Sequence, residues 1–178
     1  MPEFNQLERP NYFNGKLLSA DDFQLEQNYQ RDRSRRTNRF LHGWGVVSGL
    51  KVWIEDGAMV VVSPGLALDC AGNELVLAAP ERIALTSLTG KLFITIRYQE
   101  TAIAPQPSTQ GATEFARIRE GTSIELSVAN PAEDHRKMGA GSPGCGVCHA
   151  LCLATISQRG SNWRVTPVKR SILPRNRQ

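Results

Sequence analysis

Residues 19–62 read SADDFQLEQNYQRDRSRRTNRFLHGWGVVSGLKVWIEDGAMVVV, and the hydrophobic period changes once inside this stretch, at Trp44. Ser19 is a good N-cap and Asp22 stands at N3, a capping-box arrangement. Asp21, Asp22 and Glu26 fall at the positive end of the helix dipole; Arg31, Arg33, Arg35, Arg36 and Arg39 fall towards its negative end, where cations are favoured. Gly43 supplies the C-terminal stop. These signals predict one helix from Ala20 to Leu41. After Trp44 the period is two. Val46, Val47, Leu50, Val52 and Ile54 predict a strand with a kink at Gly49. Glu55-Asp56-Gly57 is a hairpin turn and Met59 to Val62 the return strand.

Working outward, Met1 to Leu18 reads as an extended arm. Pro2 and Pro10 oppose helix, Asn14-Gly15 signals a turn, and Tyr12, Phe13, Leu17 and Leu18 give it apolar anchors. Downstream, Leu66 to Asp69 and Glu74 to Leu77 pair around Ala71-Gly72-Asn73. Arg82 to Thr86, Lys91 to Tyr98, Ser123 to Val128, His149 to Ser157 and Trp163 to Val168 alternate as strands. Ala102 to Thr113, with Pro105, Pro107 and Gly111, reads as a surface loop. So does Asn130 to Gly146, with Pro131 and Pro143. The fold class is α+β, mainly β. An extended docking arm (1–18) and one long charged helix (19–43) precede an antiparallel β-rich domain (44–168) with loops near 102–113 and 130–146. A basic tail (169–178) carries Lys169, Arg170, Arg175 and Arg177.

The bulk properties bound the function. At 178 residues, 40% hydrophobic and 21% charged, the chain is ordinary globular material for one domain. A net charge of +4 is too small to argue by itself for nucleic acid. The arginines of the helix alternate with Asp32 and lack interleaved aromatics, so nucleic-acid binding ranks low. No apolar run reaches the roughly 18–20 residues that span a bilayer. The polar start, with Glu3 and Glu8, has no signal-peptide core, which predicts synthesis in the cytoplasm.

The helix is short of apolar residues. Phe23, Leu25, Tyr29, Phe40 and Leu41 are its large ones, Gln30 to Arg39 is polar, and no complete stripe forms at 3.6 spacing. Half of it is expected to cross a solvated gap or to lie against another subunit.

Cys145, Cys148 and Cys152 fall within eight residues, and Cys70 is the fourth cysteine. Cys145-x-x-Cys148 is a usual half-site for tetrahedral zinc, with His149, Cys152 and His135 as candidates for the other half. Cys145-Gly-Val-Cys148-His149 is also formally a c-type haem attachment motif, with Met138 and His135 nearby. Free thiols rank first, zinc second, a Cys145–Cys148 disulfide third and haem last. Haem attachment needs export, and Cys152 sits on a strand with Ala154 and Ile156, as a small core residue would. No Gly-x-Ser-x-Gly, His-Glu-x-x-His or Walker pattern is present, so an enzyme is not predicted.

The stretch from Glu8 to Val52, with Ser63 to Leu77 after it, carries many fixed spacings. They include Arg9-x-x-Tyr12-Phe13-x-Gly15, Leu17-Leu18, Asp22-Phe23, Glu26-Gln27-x-Tyr29, Asn38-Arg39, Leu41-His42-Gly43-x-Gly45-Val46-Val47 and Pro64-Gly65-x-Ala67-x-Asp69-x-x-Gly72. This pattern resembles a poorly characterised structural module of phage-tail-like particles and bacterial contractile injection systems. The resemblance covers about the first 80 residues. It implies a structural, non-catalytic role in or near a baseplate, other protein subunits as partners, and assembly into a particle that acts outside the cell. Within the pattern, His42 is expected to be a hydrogen-bonder at the helix-to-strand junction. Arg9, Asp22, Glu26 and Arg39 are expected to form ion pairs that fix the arm to the helix.

Overall fold

A computed structural model of the chain describes residues 6–85, 90–107, 111–131, 144–160 and 162–168. The tail at 169–178 and most of the expected loop at 130–146 lie outside these residues.

Helix α1 spans Ala20–Thr37 and starts where its caps dictate. Ser19 Oγ accepts from the Asp22 N–H at 3.3 Å, and the Asp22 carboxylate accepts from the Ser19 N–H at 3.1 Å. Asn38–His42 continues it as a π-helical turn, closed by the Gly43 N–H donating to the Asn38 carbonyl at 2.9 Å. Gly43, at φ +79°, stops the helix in a conformation that side chains avoid.

Among the described residues ten strands follow: β1 (Gly45–Gly49), β2 (Val52–Glu55), β3 (Met59–Val62), β4 (Gly65–Leu68), β5 (Glu74–Leu77), β6 (Glu81–Ala84), β7 (Lys91–Pro107), β8 (Thr113–Ser127), β9 (Leu151–Arg159) and β10 (Asn162–Pro167). They form three sheets, ordered β1-β4-β5, β2-β3-β6 and β10-β9-β7-β8. Every pairing is antiparallel. The α+β, mainly β class read from the sequence is the class observed.

The kink expected at Gly49 is the point where the chain changes sheets. β1 pairs with β4, while its continuation β2 pairs with β3. Both strands cross over at one level, tied by Leu50 N–H to the Pro64 carbonyl (3.2 Å) and Ser63 N–H to the Lys51 carbonyl (2.9 Å). The crossing is tight. A Cβ on Gly65 would overlap the Ser48 carbonyl oxygen and stand 2.5 Å from the Leu50 nitrogen. The β2–β3 turn uses Asp56 (φ +50°) and Gly57 (φ +69°), the two positive values of a type I′ hairpin. The inner faces of the three sheets close on one apolar cluster that includes Val60, Val62, Leu75, Leu92, Ile94 and Ile156. Each such side chain contributes roughly 1.5–3 kcal/mol by leaving water.

Ala102 to Pro107 is not a loop. It is the outer half of β7, paired with β8 through Pro107↔Thr113. Pro105 and Pro107 read as breakers, but β9 pairs only with Lys91 to Ile96 of β7. Beyond that point β7 is an edge strand, where a missing N–H costs no ladder bond. The outer halves therefore form a two-stranded ribbon. From Gln99 to Pro107 it extends roughly 30 Å at ~3.3 Å per residue.

Two glycine substitutions separate crowding from backbone preference. Gly65→Ala is expected to cost about 2 kcal/mol or more through overlap. Gly57→Ala meets nothing within 4 Å and is expected to cost about 1 kcal/mol, through its left-handed φ alone. Urea midpoints measure both, and an unchanged midpoint for Gly65→Ala would contradict the crossing geometry.

Candidate functional site

The turn between β4 and β5 is built around Asp69, which is 1% exposed. Its Oδ1 accepts from the Ala71 and Asn73 N–H groups, both at 2.8 Å, and its Oδ2 accepts from Asn73 Nδ2 at 2.7 Å. A buried carboxylate needs such a set of donors. The outer surface of this turn receives the end of the helix. Arg35 Nε donates to Asn73 Oδ1 at 2.6 Å, and Asn38 Nδ2 donates to the Gly72 carbonyl at 2.9 Å. Gly72, at φ +88°, lies against the Arg35 carbonyl where a Cβ would overlap it. On the other side, Arg39 donates twice to the Gly144 carbonyl (3.3 and 3.0 Å), and the Gly146 N–H donates to the Cys70 carbonyl at 2.9 Å.

Two pieces of the sequence pattern, Asn38-Arg39 and Asp69-x-x-Gly72, thus meet at one junction. Arg35 and Asn73 complete it; the sequence marked one as a helix-end cation and the other as a turn residue, but neither as part of the fixed-spacing pattern. His42 is exposed at the end of the π-helical turn, and the bonds that hold the junction come from Arg35, Asn38 and Arg39 instead. The expected ion pairs of the arm also differ. Asp22 pairs with Lys16 at 2.7 Å, Glu26 accepts from Gln30 at 3.0 Å, and Arg39 serves the Gly144 carbonyl. Short local loops decide these partners, because Lys16 is already held near Asp22 by the Phe13–Lys16 turn (3.1 Å).

No residue of α1 is buried. A polar cleft of about 580 Å³ separates it from the sheets, with Gln27, Gln30, Arg31 and Ser34 on one wall and Tyr98, Glu120, Asn73 and Glu74 on the other. On the ribbon, Glu100 stands directly opposite Glu120, a like-charge pair that disfavours the hairpin. Arg31 and Arg35 reach across to Glu100 Oε1 at 4.0 and 3.9 Å, and the Tyr98 hydroxyl donates to the same oxygen at 2.8 Å. Partial burial, then Glu100 and Glu120, push the Tyr98 phenol well above its usual range, so it stays a donor. Exposed pairs of this kind contribute about 0–1 kcal/mol each.

The arm presents a different surface. Tyr12, Phe13, Leu17 and Leu18, with Phe23 in the first turn of α1, are all exposed, Leu17 at 91%. The Lys16–Asp22 pair and Lys16 over the Tyr12 ring (5.6 Å) hold this segment against the helix start.

No disulfide joins the four cysteines, and they are differently placed. Cys70 and Cys152 are buried, Cys148 is half-buried and Cys145 is exposed. Burial pushes the Cys152 thiol up to about 11. Cys148 faces Asp69; burial and that carboxylate both raise its thiol. Cys145 Sγ accepts from the Val147 N–H at 3.4 Å. Among the described residues no three His, Cys, Asp or Glu side chains converge as a metal centre would require. His149 closes the sequence cluster just before β9; His135 and Met138 lie outside the described residues.

No protein-family model matches the chain, and no curated protein does. Solved structures do. The fold is similar to that of a chain from the type VI secretion system TssK-TssF-TssG baseplate subcomplex, at TM-score 0.53 and 11% identity, covering 90% of this chain and 60% of that one. A crystal structure of TssK aligns at TM-score 0.49 and 14% identity over 90% of this chain and 41% of its own, and a type VI baseplate complex at 0.49 and 12% over 91% and 58%. The first likeness shows a shared β-rich fold. This chain spans about 60% of the length of that neighbour.

A charge swap tests the junction. Asp69→Asn puts an amide N–H against Asn73 Nδ2 and is expected to cost about 1–3 kcal/mol. Adding Asn73→Asp restores donor and acceptor across the turn and keeps an acceptor for Arg35, so the double variant is expected to recover about 1 kcal/mol or more. Additive losses in denaturant melts would break this account. A second test concerns the arm. The Lys16 ammonium, then Ser19, hold the Asp22 carboxyl down at about 2. A depressed carboxyl pKa favours the native state above the unfolded value of about 3.9, and the contribution fades as pH falls through about 2. A carboxyl-carbon NMR titration is expected to show that midpoint, and Lys16→Met to move it up towards the ordinary value.

Proposed function

We propose that this chain is a structural, non-catalytic subunit of a contractile injection system or phage-tail-like particle, seated at or near the baseplate. The observation that carries the reading is α1, an 18-residue helix with no buried residue and an exposed apolar arm at its start. An isolated helix of this length is marginal in water. A fold that keeps one, and fastens it by its C-terminal end, is presenting it to something else. The fold likeness to a baseplate chain supports the setting, and the sequence pattern across the arm, helix and Asp69 turn supports it independently.

In this reading the chain is made in the cytoplasm and joins other protein subunits of the particle. The Asp69 junction fixes the direction of the helix. The arm supplies buried apolar contact once docked. The cleft between helix and sheets is lined by amides and by charges of both signs, which suits a spacer.

The test is incorporation. The chain, tagged at its C-terminus and co-expressed with sheath, tube and baseplate subunits, is expected to sediment with assembled particles. Phe13→Ser with Leu17→Ser is expected to cut incorporation by roughly tenfold or more, as loss of an interface anchor does. The far-UV spectrum and melting temperature should stay unchanged, because both side chains are exposed in the isolated chain. A sharp monomer at high concentration that never travels with particles would overturn the proposal.

A further inference from the structure

The outer half of the β7–β8 hairpin has its charges sorted by face. Register sets Thr101 opposite Arg119, Ile103 opposite Arg117 and Pro105 opposite Phe115. Directly opposite residues share a face, so Arg117, Arg119 and Phe115 lie on one face with Ile103 and Pro105. Glu100↔Glu120, Ala102↔Ile118 and Gln106↔Glu114 make up the other. The acidic face is the one turned to α1, where Arg31 and Arg35 approach Glu100. The arginine face has no such answer. Among the described residues no carboxylate pairs with Arg117 or Arg119. Phe115 is 52% exposed beside them.

The two long edges of this ribbon also differ. The β7 edge is closed to a further strand by Pro105 and Pro107 and by Ala104, whose φ is +59°. β8 is the terminal strand of its sheet. Its inner part meets β5, where the Thr122 hydroxyl donates to the Val76 carbonyl at 3.2 Å. From Thr113 to Gly121 no further strand pairs with it among the described residues, and that segment, TEFARIREG, contains no proline. An unblocked edge of this length is a template for strand addition.

We infer that the Thr113–Gly121 edge of β8 is a docking site for an extended acidic–apolar segment of a protein partner. The segment adds as a further strand, its carboxylates beside Arg117 and Arg119 on one face and its apolar residues beside the exposed Ile118 on the other. A second copy of this chain is a poorer occupant. Symmetric antiparallel pairing centred on Arg117 sets Arg117 against itself and Glu114 against Glu120, and pairing centred on Ile118 sets Arg117 against Arg119; like charges directly opposite are destabilising. The inference rests on the assembly reading only in taking the partner to be a protein. The test reads the ribbon directly and is independent of incorporation into particles.

The probe is a short fluorescein-labelled peptide alternating Glu and Val, titrated against the full chain at low and physiological salt. A saturable rise in anisotropy is expected, weakened by salt. Arg117→Glu with Arg119→Glu should reduce affinity by roughly tenfold or more, and Arg117→Lys with Arg119→Lys should retain most of it. A Glu–Pro peptide of equal charge cannot add as a strand and should bind far more weakly. Equal binding of both peptides would overturn strand addition. Tighter binding of single-stranded DNA than of the Glu–Val peptide would overturn the choice of a protein partner. Absence of peptide binding, or concentration-dependent self-association abolished by the same double reversal, would overturn the inference as a whole. Both arginines are exposed, so a native far-UV spectrum is the control for each variant.

Discussion

Asp69 is a charge taken almost wholly out of water, 1% exposed, and such a group costs several kcal/mol unless its oxygens are filled. They are filled by the turn itself, through two backbone N–H groups and the side-chain amide of Asn73. Opening the turn would strand the carboxylate, so the turn is stiff. That stiffness is what the helix uses. The outward groups of the same four residues, the Cys70 and Gly72 carbonyls and Asn73 Oδ1, are the ones that receive Gly146, Asn38 and Arg35. The direction of α1 follows from a carboxylate it never touches.

How far the sequence went depends on how local each determinant is. The capping box, the Gly43 stop, the Asp56-Gly57 turn and the kink at Gly49 each depend on two to four neighbouring residues, and all were legible. The strand from Ala102 to Pro107 was not, because proline reads as a breaker unless one knows that the strand has left the shelter of β9. The junction was half legible. Asn38-Arg39 and Asp69-x-x-Gly72 stood out as fixed spacings, but Asn38 meets Gly72 across 34 residues and Arg39 meets Gly144 across 105. Nothing in a linear pattern chooses between His42 and Arg35 as the residue that docks. The cysteine cluster is another case where spacing and fold group residues differently. Spacing groups Cys145, Cys148 and Cys152, whereas the strand pairing buries Cys152 opposite Thr95 and leaves Cys145 exposed.

A helix with no fully buried residue must draw much of its order from elsewhere. At ~1.5 Å per residue α1 is roughly 27 Å long, and its contacts are concentrated at the ends. The N-terminal end has the capping box and the Lys16–Asp22 pair. The C-terminal end has the Asp69 turn. Between them Arg31 and Arg35 span the cleft to Glu100, at 3.9–4.0 Å. That arrangement relieves the Glu100–Glu120 repulsion of the ribbon while placing cations near the negative end of the helix dipole. Helix and ribbon therefore share a weak charge contact across the cleft.

This division has a consequence for how the protein tolerates change. The apolar cluster holding the three sheets together draws on β3, β5, β7 and β9 and on neither the arm nor the outer ribbon. Several of the exposed apolar residues sit at those two places, Phe13, Leu17 and the adjoining Phe23 at one and Phe115 and Ile118 at the other, while Leu41, Trp53, Val76 and Val128 are exposed elsewhere. Substitutions at these positions remove little that folding depends on, since surface changes away from caps and cores usually stay within about 0.5 kcal/mol. The same side chains would each forfeit interface energy if docked. In the proposed reading, stability and association would be carried by largely separate sets of residues, and an isolated chain could be fully folded while still presenting the surfaces for docking.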